Sequence, residues 1–137
     1  MTTLLRLPSE LGYEKVAMAS AATVAKHMGF SSERIEDIKT AVAEACINAI
    51  EHGNQMNASL PVTVELCEDD AALEICVSDE GQKPMPCQLP CPGDHPAHRH
   101  WGLFLIQGLV DEFSLDTSPS GGNAVRMRLH LAGGQVA

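Results

Sequence analysis

The sequence predicts an α+β fold, a two-layer sandwich with helices packed on one face of a mostly antiparallel sheet. Two observations carry this. Strand-like segments occur in neighbouring pairs separated by short turns, which suits antiparallel hairpins. Three other segments place apolar residues at helical spacing, in the order β-α-α-β-β-loop-α-β-β, and paired strands with a few helices pack as two layers.

Residues 2–7, "TTLLRL", read as a first strand ended by Pro8. Ser9 is an N-cap candidate for a helix over about 10–28, whose apolar positions are Val16, Ala17, Ala21, Val24, Ala25 and Met28, with Gly29 as the stop. Ser31 or Ser32 caps a second helix, with Glu33 in the first turn where the helix dipole favours an acid. It runs to about His52 and stops at Gly53, with Ile35, Ile38, Val42, Ala45 and Ala49 as its core face. Residues 61–68 and 71–78 form the clearest hairpin. With Asp69-Asp70 as a two-residue turn, Leu66 pairs with Leu73, Val64 with Ile75 and Val62 with Val77, so the apolar faces coincide. Cys67 and Cys76 then face other residues, which argues against a disulfide between them. Residues 82–100 lack periodicity and hold five prolines and three histidines. A loop of that length in a compact domain is commonly functional. A helix over about 101–111 follows, carrying Leu103, Ile106 and Val110, then strands over about 112–117 and 123–131 joined by a Ser-Pro-Ser-Gly-Gly turn.

At 137 residues the chain suits one domain, 1–137, with one core. A net charge of −9 argues against a nucleic-acid-binding surface, which needs a basic stripe. No apolar run approaches the roughly 18 residues needed to span a bilayer. The N-terminal residues lack the layout of a secretory signal, and five cysteines are an odd number, so a reducing cytoplasm is expected.

The stretch "IKTAVAEACINAIEHGNQ" sets Glu44, Asn48 and His52 four residues apart, on one slowly drifting stripe opposite the core face. A solvated polar face would give the same spacing. The segments downstream add to it. "VSDEG" brings Asp79 and Gly81 out at a strand end, "RHWGLFLIQGLVDEF" puts Gly102 just before an amphipathic helix, and "SGGNAVRMRL" sets two glycines before the last strand. A helix N-terminus beside a glycine can approach phosphate through its free N–H groups.

In this order the four segments resemble the GHKL ATPase superfamily of gyrase, heat-shock chaperone, histidine kinase and mismatch-repair ATPases, over about residues 5–131. "AVAEACINAIEHG" with "WGLFLIQGLVDEF" looks like its branch of bacterial anti-sigma-factor serine/threonine kinases. The resemblance implies the Bergerat-type GHKL sandwich and the use of ATP and Mg²⁺. It implies Glu44 as general base, Asn48 as Mg²⁺ ligand, Asp79 as acceptor for the adenine amino group, and Gly81 as room for the purine. Residues 82–100 would be the ATP lid, with Gly102 at its far end where the helix dipole meets phosphate. Gly122 and Asn123 match the last motif. Arg99, and less strongly Lys83, are the cations nearest the phosphates by position, and a guanidinium grips phosphate bidentately. His52 has no assigned role. The partners implied are a sigma factor and an anti-anti-sigma antagonist with a target serine, with a homodimer by analogy and no nucleic acid or membrane.

Three positions depart from the family pattern. Lys83 and His100 stand where glycines are usual, and Asn123 where a threonine follows the last Gly. They keep open a non-catalytic module of the same fold that sequesters a partner. A second alternative is a zinc-holding lid, from Cys87-x3-Cys91-x3-His95-x2-His98 with His100 beyond.

Overall fold

In the computed structural model of the chain the described residues are 1–81, 98–118 and 121–131, with backbone alone at 98–101. The elements run β1 (Thr2–Pro8), α1 (Glu14–Met28), α2 (Ser32–Asn48), a π turn (Ala49–Gly53), β2 (Pro61–Glu68), β3 (Ala72–Ser78), α3 (His98–Leu109), β4 (Glu112–Thr117) and β5 (Asn123–His130). The strands make one five-stranded sheet in the order β1-β2-β3-β5-β4, antiparallel at every junction. The expected α+β sandwich is therefore the fold.

Alternation along the strands decides the two faces. Leu5, Val64, Val77, Val125 and Leu115 pair in sequence across all five strands, and Leu66, Ile75, Met127 and Phe113 form the adjacent row. These rows face Ala17, Ala21 and Ala25 of α1, Ile38, Val42 and Ala45 of α2, and Leu103 and Ile106 of α3 in one core. The alanine stripe of α1 is what lets that helix lie close, since interaxial distance is set by the side chains at the contact. Burying each large aliphatic side chain contributes about 1.5–3 kcal/mol. The other sheet face is polar. There Arg126 meets Asp116 at 3.4 Å and Glu74 at 3.8 Å, and Arg128 meets Glu112 and Asp69, each at 3.5 Å. Such exposed pairs each contribute at most about 1 kcal/mol.

The caps at Gly29 (φ 99°) and Ser31, whose side chain accepts the Arg34 N–H at 3.1 Å, fall where the sequence puts them. Other details differ for physical reasons. Ser9 does not cap α1. It is buried, its hydroxyl donates to Leu60 O at 2.6 Å, and Gly12 holds a left-handed φ of 111° that delays the helix to Glu14. Val16, in the first turn, is 44% exposed rather than core. The β2–β3 register lies two residues from the expected one, with Val64 opposite Val77 and Leu66 opposite Ile75. A two-residue hairpin turn needs positive φ, and none of residues 69–71 has it. The Asp69 carboxylate instead accepts the N–H groups of Ala71 and Ala72 at 2.7 and 2.8 Å in a wider loop. These bonds also hold that carboxyl below its usual pKa. Since side chains repeat every two residues, a two-residue shift leaves the core face unchanged. Cys46, Cys67 and Cys76 are free thiols.

Candidate nucleotide site

Two clusters of the expected residues form along the C-terminal half of one continuous segment, α2 with its π turn. The first surrounds Asp79, at the end of β3. Its side chain is 2% exposed. Its Oδ1 accepts the Gly81 N–H at 2.9 Å and the Asn123 N–H at 3.1 Å, while its own N–H donates to Asn123 O at 2.8 Å. The Ser118 hydroxyl donates to Asp79 O at 3.2 Å and accepts the Gly122 N–H at 3.1 Å. Asn123 thus contributes through its backbone, which a different side chain would leave available.

Glycines enclose this carboxylate because nothing larger fits. A Cβ at Gly122 would lie 2.0 Å from Asp79 O, one at Gly53 2.1 Å from Asp79 Oδ2, and one at Gly81 1.7 Å from Gly53 O. The side-chain direction of Gly81 is filled by the Gly53 backbone, so close backbone packing by itself requires a glycine there.

The second cluster lies where α3 crosses α2. Glu44 is half-buried and Asn48 buried, one helical turn apart. A Cβ at Gly102 would be 2.9 Å from both Glu44 Oε2 and Asn48 Nδ2. Gly102 is not at the start of its helix. α3 begins at His98, so Gly102 is the fifth helical residue and its backbone packs against the Glu44–Asn48 pair. The Asn48 amide nitrogen is buried without a hydrogen-bond partner among the described residues. An orphaned polar group of this kind costs about 1–3 kcal/mol and calls for an explanation.

His52 leaves the stripe. α2 passes into the π turn after Asn48, with the Asn54 N–H reaching Ala49 O at 2.8 Å, and His52 sits 3.9 Å from Glu51. π turns inside helices are rare and recur at functional sites. This one delivers Gly53 to Asp79. Arg99 belongs to the first turn of α3, while Lys83, Cys87, Cys91 and His95 lie outside the described residues. Of His98 and His100 only the backbone, within α3, is described. The zinc alternative thus falls on residues outside the description.

The sequence reading gave Gly53 and Ser9 other roles and did not single out Asn54 or Ser118. Asn54 accepts the Glu80 N–H at 2.8 Å through Oδ1, immediately after Asp79. "His-Gly-Asn" directly after the helix was the available signal, since a Gly-Asn pair at a helix end marks a special backbone position.

The donors suit a magnesium nucleotide. Mg²⁺ takes oxygen ligands, keeps several waters and needs only one or two protein oxygens beside phosphate. The Asn48 amide oxygen, with the Glu44 carboxylate close by, can supply these. A buried carboxylate anchored by backbone N–H groups can accept a proton from an exocyclic amine. A cavity of about 330 Å³ between Phe30, Ser31, Glu33, Arg34, Asp37, His130 and Leu131 lies elsewhere and is lined by two acids.

A sandwich with an asparagine-bearing helix over a glycine-ringed aspartate is the arrangement expected of a nucleotide-binding ATPase. The profile of the histidine kinase-like ATPase domain matches residues 7–129, and the chain belongs to that family. The branch read from the motifs is supported too. A serine-protein kinase RsbW from Bacillus cereus is 31% identical over 121 residues, covering 81% of this chain and 74% of that protein. The one from Oceanobacillus iheyensis is 31% identical over 121 residues, covering 82% and 77%. The one from Bacillus subtilis is 29% identical over 141 residues, covering 96% and 87%. Among solved structures, the RsbU and RsbW domains of a Mycobacterium tuberculosis protein match with a TM-score of 0.71 at 21% identity, over 96% of this chain and 32% of that one. At that identity the likeness shows the fold, and this chain spans about a third of that solved protein. No described helix is long and apolar enough to cross a membrane.

Proposed function

We propose that the chain is an ATP-dependent serine/threonine-protein kinase of the cytoplasm that acts as an anti-sigma factor. It binds a sigma factor and phosphorylates an anti-anti-sigma antagonist, so that partners exchange with the phosphorylation state. The observation that carries this reading is the buried Asn48 amide set beside the Glu44 carboxylate against α3, in a chain of the histidine kinase-like family.

Phosphoryl transfer depends on positioning and charge neutralisation more than on covalent catalysis. Mg²⁺, when bound, would supply positive charge against the phosphates. Asn48 would hold it through Oδ1, since its nitrogen faces Gly102 of α3. Asp79 accepts the adenine amino proton and, being buried, rejects bases that present an acceptor there. Glu44 takes the proton of the attacking serine hydroxyl as its oxygen bonds to the γ-phosphorus and the bond to ADP breaks. A net charge of −9 opposes triphosphate binding at long range. Local donors must therefore do the neutralising, and Arg99 on the first turn of α3 is the candidate cation.

Radiolabel transfer from Mg-ATP to a co-encoded anti-anti-sigma protein tests the reading. Wild type is expected to label a serine, and Glu44→Gln to slow labelling by roughly 10²–10⁴, the range for general base catalysis. A sequestering module without transfer is the second reading. It is favoured by Lys83, His100 and Asn123 in the motif positions and by the close seat of Gly102 on Glu44 and Asn48. Tight partner binding without any labelling by wild type would decide for it.

A further inference from the structure

Asn54 is 2% exposed and ties three parts of the chain together. Its Nδ2 donates to Ser9 Oγ at 2.8 Å, Pro61 O at 3.0 Å and Leu60 O at 3.3 Å. Its Oδ1 accepts the Glu80 N–H at 2.8 Å. Its own N–H closes the π turn on Ala49. The two residues that follow, Gln55 (φ 51°) and Met56 (φ 61°), both hold left-handed backbone, which non-glycine residues disfavour. The chain accepts this strain to keep Asn54 where it is.

The peptide unit between Asp79 and Glu80 is the object held. Its N–H points at Asn54, and its carbonyl accepts the Ser118 hydroxyl from the opposite side. With both ends bonded the peptide plane cannot rotate, so Gly81 keeps its N–H on Asp79 Oδ1. The direction of the carboxylate follows from that bond.

We propose that Asn54 is a positioning residue for base selectivity. It fixes the Asp79–Glu80 peptide, and through it the orientation in which Asp79 meets the six-position of a purine, with Ser9 holding Asn54 from behind. The inference rests on the proposed reading of Asp79 as the acceptor for the adenine amino group. A merely structural role, tying the end of β1 to the start of β2, would lower stability and leave selectivity alone.

The test is the ratio of Mg-ATP to Mg-ITP affinity, measured by calorimetry well below the melting temperature of each variant. Inosine carries a carbonyl where adenine carries its amino group, so wild type is expected to prefer ATP. Asn54→Ala is expected to reduce that ratio about tenfold, the equivalent of one hydrogen bond. If Asn54→Ala does not fold, Ser9→Ala decides, since it removes one arm of the network and is expected to reduce the ratio several-fold. An unchanged ratio in the deciding variant overturns the inference and leaves the reading of Asp79 standing. Equal affinity of wild type for ATP and ITP overturns both.

Discussion

Gly81→Ala puts the packing around Asp79 to a direct test. The added Cβ would lie 1.7 Å from Gly53 O, a backbone atom on the π turn. Real Cβ atoms essentially never approach within 3.0 Å of another heavy atom, so the two segments must part by more than an ångström. Overpacking of this kind costs about 1–3 kcal/mol. The shift also stretches the bond from the Gly81 N–H to Asp79 Oδ1, adding about 1 kcal/mol. A total of about 3 kcal/mol lowers the melting temperature of a chain this size by roughly 10 °C. Gly108→Ala is the internal control. It lies on the exposed side of α3, and its new Cβ would meet nothing within 4 Å. There the same chemical change relieves a helical glycine and is expected to stabilise by about 0.5–1 kcal/mol. Thermal unfolding followed by circular dichroism reads both variants. A Gly81→Ala protein that melts with wild type, or a Gly108→Ala protein that loses as much as Gly81→Ala, would refute the packing argument.

Burial, with Glu14 adding to it, pushes the Cys46 thiol up to about 12. The unfolded chain therefore loses this proton first as pH rises, and the native state loses stability between about pH 9 and 12, by up to about 1.4 kcal/mol per pH unit. Urea titrations at intervals over that range should show the slope, and Cys46→Ala should flatten it. Arg34 donates to Leu109 O at 2.7 Å and to Asp111 at 2.8 Å, joining α2 to the end of α3. Arg34→Ala is expected to cost about 1–2 kcal/mol in urea unfolding, and Arg34→Lys to recover little of it, because one ammonium cannot span both acceptors. Asn48→Ala should weaken Mg-dependent nucleotide binding several-fold while Glu44→Gln leaves it within a few-fold. Equal losses in the two would remove the distinction between metal ligand and base.

Much of this fold was legible because alternation is a strong signal. Val62, Val64 and Leu66, and Leu73, Ile75 and Val77, could be read as one sheet face without knowing the pairing. The register itself was not legible, since Asp69 builds its loop from side-chain bonds that periodicity does not carry. The start of α1 was lost for a similar reason. A serine before an amphipathic run reads as a cap, yet Ser9 serves Asn54, which is 45 residues away in sequence. Glu44, Asn48 and Asp79 stood out by residue type and place. Their supports did not, because Gly53, Asn54 and Ser118 act through contacts between distant segments. The π turn was equally hidden, for the sequence continues an α-helical pattern to His52 and only the packing of Gly53 on Asp79 requires the extra residue.

Calorimetric titration of the wild-type chain with Mg-ADP, repeated with Asp79→Asn and with EDTA, is the most direct test of a nucleotide site built on α2 and the end of β3. One saturable site is expected, weakened when magnesium is removed. Asp79→Asn should weaken it by a further tenfold or more, because an amide can present a donor where the adenine amino group needs an acceptor. Absence of binding at millimolar nucleotide, or binding indifferent to both magnesium and Asp79, would contradict the account.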